Sequence, residues 1–148
     1  MMEPNKKTME TWVLYAILSM VFAGVTSIFA KFGLERVDAD LGLVIRTSII
    51  FVLVVLTALA GKVFAGLPQL TGKEIGLLLA SGLTAYLSWL FYFRALKDGL
   101  VTYVTAIDKS SIVVTLALSF LLLKEPMKPQ VLIGGGLILA GMLVLVWK

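Results

Sequence analysis

Five apolar runs follow one another along this chain with only short charged turns between them, and that succession limits the fold more than any motif does. A bilayer hydrocarbon core of about 30 Å needs roughly 20 helical residues at about 1.5 Å of rise each. Residues Trp12 to Leu34, Leu41 to Gly61, Glu74 to Leu96, Val101 to Leu123 and Pro129 to Trp147 each meet that requirement. The expected fold is all-α: a polytopic membrane protein with a bundle of five transmembrane helices. Residues 1–11 form an N-terminal tail, and 12–148 a single transmembrane domain. With 148 residues, 59% of them hydrophobic, and a mean hydropathy of +1.00, almost no chain is left for a soluble domain.

The span limits carry the expected punctuation. Asp38 and Asp40 close the first turn; Gly66, Pro68 and Gly72 sit in the second, Asp98 and Gly99 in the third, Pro126 and Pro129 in the fourth. Trp12, Tyr15 and Trp147 fall at the boundaries, where amphipathic rings prefer to lie. Lys6 and Lys7 before the first run resemble the start of a secretory signal. The run itself exceeds the roughly 7–15 residues of a signal core, so it is expected to stay as a helix.

Composition removes several kinds of chemistry. With no Cys and no His, thiol nucleophiles, imidazole acid–base steps and the usual soft metal sites are absent. No phosphate-binding G-x-x-x-x-G-K-[ST] loop occurs either. No metal, cofactor or enzymatic activity is therefore expected. The pI of about 9.4 and net charge of +4 come from residues scattered over the turns, a pattern that serves lipid headgroups and topology rather than nucleic acid.

Orientation normally follows Lys and Arg, which collect on the cytoplasmic side. Lys6, Lys7, Lys62, Lys73, Lys124 and Lys128 fall on the side of the N-terminus, and Lys31, Arg36, Arg46, Arg94, Lys97 and Lys148 on the other. Six stand against six, with Lys109 inside a helix. A chain with an odd number of spans and no bias can insert both ways, and two opposed copies would make an inverted pair able to share a midplane site. A single topology with weak bias, or an orientation set by a partner, is the alternative.

Charge inside a span is costly, at least about 2.5–3.5 kcal/mol per group on insertion scales, so such groups should face partners or a wet cavity. Asp108 and Lys109 lie seven and eight residues into the fourth run. Thr102, Thr105, Asp108, Lys109, Ser111, Thr115 and Ser119 share about half of that helix's circumference. As sequence neighbours, Asp108 and Lys109 point about 100° apart, so each is expected to find a second partner, and Lys31 or Arg46 could meet Asp108. Two readings fit: Asp108 takes a coupling proton or cationic group while Lys109 attracts an anion, or both belong to a structural ion network.

The remaining candidates are rings and small residues. Tyr86, Trp89 and Phe93 share a face of the third run and could stack on a flat or cationic ligand, whereas Arg94 and Lys97 suit interfacial anchoring. Ser19, Ala23 and Ser27 recur every four residues in the first run, as do Gly76, Ala80, Thr84 and Ser88 in the third. Gly134, Gly135, Gly136, Ala140 and Gly141 crowd the fifth. Such residues let helices approach, so a packing or dimer seam is expected there.

Four stretches then carry a resemblance: Tyr92 to Gly99, Ile107-Asp108-Lys109-Ser110, Leu121 to Glu125, and the glycine-rich Gly134 to Gly141. Together with the five spans, they resemble one EamA-type repeat of the drug/metabolite transporter superfamily, in its small five-span bacterial and archaeal branch. The chain departs from that pattern at Lys124, where many relatives have Gly, and in lacking a mid-helix Pro. The resemblance implies half of a ten-helix inverted-repeat transporter, a small-molecule substrate, a homodimer, alternating access and a plasma-membrane location, with four helices lining the cavity. The small multidrug-resistance type does not carry over, since no acidic residue lies between Trp12 and Leu34. A non-transporting subunit of a larger complex is the rival function, and a lipid-acting enzyme a weaker one.

Overall fold

The computed structural model describes residues 6–126 and 128–147, with side chains from Thr11 onward. It is 87% helical, and no strand occurs among the described residues. The helices are α1 (Lys6–Gly33), α2 (Ala39–Ala60), α3 (Gly72–Asp98), α4 (Val101–Lys109), α5 (Ser111–Leu122) and α6 (Pro129–Val146), with a 3-10 turn over Val63–Gln69. Five stretches are long and apolar enough to cross a membrane: α1 from Thr11, α2, α3, the α4–α5 pair and α6. Lys148, counted in the charge tally, and the side chains of Lys6 and Lys7 lie outside the described residues.

Local chemistry sets the helix starts. Asp38 caps α2, its Oδ1 accepting from the Asp40 and Leu41 amides at 2.9 and 3.3 Å. Thr71 and Glu74 close a capping box on α3: Thr71 Oγ1 accepts from the Glu74 amide while Glu74 Oε2 accepts from the Thr71 amide at 2.7 Å. Pro129 opens α6 at a position where its missing N–H has no helical acceptor to lose. Lys124, which ends α5's turn, has φ +53°, the left-handed region that favours glycine.

The fourth span differs from the uninterrupted helix expected over Val101 to Leu123. Its α-helical ladder breaks for one residue at Ser110, directly after Asp108 and Lys109. Ser110 Oγ donates back to the Ala106 carbonyl at 3.2 Å, and the Val113 amide bonds the Ser110 carbonyl at 3.0 Å, a tightened turn. Back-bonding of this kind bends helices. The same hydroxyl lies 3.2 Å from Met142 Sδ on α6, so the break is also where α6 docks.

Burial is confined to one end. Ser27, Leu34, Ala39, Leu43, Phe93, Leu96 and Ala106 are the buried residues among those described. Because α1 ends, α2 begins, α3 ends and α4 begins on the same side, these positions meet at the end of the bundle away from Lys6. Elsewhere every described residue is at least partly exposed, as lipid-facing helices are.

Three glycines allow close approach: Gly42, where a Cβ would lie 2.5 Å from Leu34 Cδ2, Gly99 and Gly135. A Cβ on Gly99, in the short α3–α4 turn, would lie 2.6 Å from Val104 Cγ2 and 2.9 Å from the Ala95 carbonyl oxygen. One on Gly135 would lie 2.6 Å from Leu116 Cδ1, which brings α6 against α5. Of the other small residues expected to form seams, Ser27 is buried and bonded to Tyr92, whereas several on α3 and α6 lie open. A Cβ at Gly76, Gly134, Gly136 or Gly141 would meet nothing within 4 Å, and Ala80 and Ala140 are exposed. Within one copy, only the Gly135 edge of the α6 stripe makes contact.

Candidate functional site

The buried end is clasped by charges whose partners are backbone carbonyls. Lys31 Nζ, on the last turn of α1, donates to the carbonyls of Leu96, Lys97 and Gly99 at 2.8, 3.1 and 2.9 Å, at the end of α3. Lys97, on the last turn of α3, donates to the carbonyls of Leu34, Glu35 (3.3 Å) and Val37 (3.0 Å), just beyond α1. Each lysine thus satisfies carbonyls that the other helix leaves without amide partners, where the helix dipole also favours positive charge. Lys31 was expected as a partner of Asp108; its three donors are committed to this clasp instead. Lys97 and Arg94, expected as interfacial anchors, are likewise engaged within the chain. Arg94 forms a bidentate pair with Asp40, through Nε at 3.0 Å and an NH2 nitrogen at 2.8 Å. Half exposed on both sides, that pair is a solvent-screened tie between α2 and α3.

Arg46 does not reach Asp108 either. Its guanidinium carbon sits over Trp89 at 4.8 Å and Phe93 at 5.3 Å. The rings expected to hold an external cation therefore hold one supplied by α2, a contact worth about 0.5–2 kcal/mol. Phe93 is buried beneath it, while Tyr86, two turns before Phe93 on α3, is half exposed and outside the stack. Beside Arg46, a groove of about 610 Å³ runs between α1 and α2, lined mainly by Phe29, Ala30, Ile45, Ile49 and Phe93.

Asp108 and Lys109 pair with each other, Nζ to Oδ2 at 2.9 Å, contrary to the expectation of separate partners. The reason lies in Lys109's long stem, which folds back across the 100° that separates the two Cβ directions. Asp108 is a third exposed and Lys109 more than half. Asp108 lines a second recess, of about 320 Å³, with Ser88, Tyr92 and Ala95 of α3 and Val104 of α4.

Tyr92 is a residue at the site that periodicity does not single out. Its hydroxyl donates to Ser27 Oγ on α1 at 2.8 Å and lies 3.4 Å from Thr105 Oγ1 on α4, so one phenol ties three helices together. Ser27 passes its own proton to the Ala23 carbonyl at 3.1 Å. A phenol in the middle of an apolar run was the available signal, since a buried hydroxyl requires a partner. Ser111 opens α5 on the exposed side of the break, apart from this chain of hydroxyls. Tyr92 and Phe93, adjacent on α3 with ring centroids 6.4 Å apart, separate the two recesses.

An all-helical, multi-pass membrane protein with polar groups set into its spans and two recesses between them defines the class. Comparison with known proteins makes it specific. The EamA-like transporter family matches residues 10–147, and the chain belongs to that family. A Sinorhizobium sp. protein described as an uncharacterized transporter in the cobO 3′ region is 35% identical over 136 residues, which cover 92% of this chain and 96% of that one. No solved structure matches the chain. It is a membrane transporter, and neither comparison points to an enzyme.

Proposed function

We propose that this protein is a secondary transporter for a small metabolite or drug-like solute, working by alternating access as an antiparallel homodimer in a bacterial or archaeal plasma membrane. The observation that carries the reading is the break in the fourth span next to Asp108 and Lys109. Transporters place substrate and ion sites at interrupted helices, where freed backbone and polar side chains line a cavity. Among the described residues the ion-pair partner of Asp108 is Lys109, with which a proton or cationic group would compete.

Pairing of opposed copies is supported by the even charge tally and by the unfilled stripe of Gly134, Gly136, Ala140 and Gly141, which offers α6 a close-packing face. In this scheme Thr105, Ser111, Asp108 and Lys109 of both copies face a shared midplane site.

Two measurements test the proposal. A C-terminal reporter should be detected on both sides of the membrane; one side only sinks the self-paired antiparallel dimer. Protein reconstituted in liposomes should drive solute flux under a proton gradient, whereas stable copurification with a larger complex and no flux would favour a subunit role.

A further inference from the structure

We propose that the groove between α1 and α2 binds an amphipathic monoanion, a carboxylate on an apolar body, with the Arg46 guanidinium as its anchor. Arg46 carries a charge that no carboxylate balances among the described residues. Among the described residues the ion pairs are Arg94–Asp40 and Lys109–Asp108, and neither involves Arg46. No hydrogen-bond acceptor is found for its guanidinium, and no unpaired side-chain nitrogen is sealed from solvent, so its N–H groups remain accessible. A guanidinium has five donors in a planar fork, matched to a carboxylate's two oxygens. Held over a ring face, it keeps that in-plane edge for an anion.

Position and shape select the ligand. Arg46 lies seven residues past the start of α2, about 10 Å along the helix axis. Long cationic side chains at such depth usually snorkel outward; this one is drawn instead to Trp89 and Phe93. A lipid headgroup would sit nearer the helix ends, beside Arg94 and Asp40, whereas a solute acid carrying its own apolar part can enter to the depth of Arg46. The walls fit such a body: Phe29, Ile45 and Ile49 are apolar, and about 610 Å³ is ample for a small molecule. Thr26 adds a hydroxyl at the groove, although its own proton is donated to the Phe22 carbonyl. The inference rests on the transporter reading only for the statement that this acid is cargo; binding stands on its own.

The test uses the full chain with W12F and W147F, which leaves Trp89 as the sole tryptophan reporter. Purified in phosphatidylcholine nanodiscs, it is titrated with 4-phenylbutyrate and with the neutral 4-phenylbutyramide. Saturable change in Trp89 fluorescence is expected with the acid, at least tenfold weaker with the amide. Arg46→Gln should lower acid affinity at least tenfold, and Arg46→Lys less. Should Arg46→Gln fail to fold, Gly33→Leu supplies the second arm: Gly33 lines the groove, and a Cβ there would meet nothing within 4 Å. It should weaken the acid severalfold. Equal binding of acid and amide, or unchanged acid affinity in both variants, overturns the proposal. So does an Arg46-dependent fluorescence change produced by phosphatidylglycerol nanodiscs when the free acid produces none, for the occupant is then lipid. Acid binding without flux in liposomes upholds the site and removes the reading of this acid as cargo instead.

Discussion

The two ends of the bundle are built from the same apolar residues and yet are held differently. At the end away from Lys6, Leu96 is fully buried, Leu34 and Phe93 nearly so, and every inter-helix clasp described above lies close by. Toward the other end, α1, α2 and α3 present Leu14, Phe51, Leu78 and Leu79 outward. The connections explain part of the contrast. Two residues join α3 to α4, and residues 34–38 join α1 to α2, while α2 and α3 are separated by residues 61–71. Polar contacts explain the rest. Lipid removes most of the hydrophobic advantage of helix pairing, so packing and hydrogen bonds decide which helices stay together, and these concentrate at one end.

The largest effect that would sharpen this comparison is a truncation in the packed end. Leu96→Ala should destabilise the protein by about 2–5 kcal/mol, because a fully buried leucine leaves a cavity. Leu79→Ala, on the exposed part of α3, should change the unfolding midpoint of the detergent-solubilised monomer very little. Equal losses in thermal or denaturant unfolding would erase the distinction between the ends.

Next come the clasps. Lys31→Met or Lys97→Met removes a cation from three carbonyls and should cost about 1.5–3 kcal/mol each. Together they also change the charge tally from six against six to six against four, which should bias the N-terminus toward the cytoplasm and move a C-terminal reporter outward. A reporter ratio unaffected by the double variant would show that orientation is set elsewhere.

Asp108→Asn touches the open recess rather than the packed end. Insertion and unfolding should be nearly unchanged, and pH-driven transport abolished; unaltered pH-driven flux removes Asp108 from coupling. The smallest expected effect is at Lys124→Gly. Relief of the left-handed backbone, costing about 1–2 kcal/mol for a residue with a Cβ, is offset by the greater freedom of glycine in the unfolded chain. A net stabilisation of up to about 1 kcal/mol should appear in thermal unfolding, and a loss would mean that the lysine side chain contributes there.

Much of the fold was legible because hydrophobic length is a property of local sequence. Runs such as Leu41 to Gly61 and Pro129 to Trp147 differ from the observed helices by only a residue or two. The site was less legible. Asp108 and Lys109 stood out as charges within an apolar run, but pairing rules based on helix-surface spacing did not foresee a long lysine folding back on its neighbour. Arg46 and Trp89 were both singled out, yet nothing in the order of residues told that one would cover the other. Tyr92 was passed over because its importance comes from contacts 65 and 13 positions away.

The number of spans, their approximate ends and the absence of His and Cys chemistry follow from composition within short windows of the chain. Which charges are spent on the fold and which remain available emerges from the packing of the helices. Lys31 and Lys97 are bound to carbonyls, Arg94 to Asp40, and Arg46 to two rings that leave its donors accessible. The physical reason is that a charge in a membrane helix is stabilised by whatever the neighbouring helices bring within about 3–5 Å, and helix adjacency is set by packing and turn length rather than by any one segment.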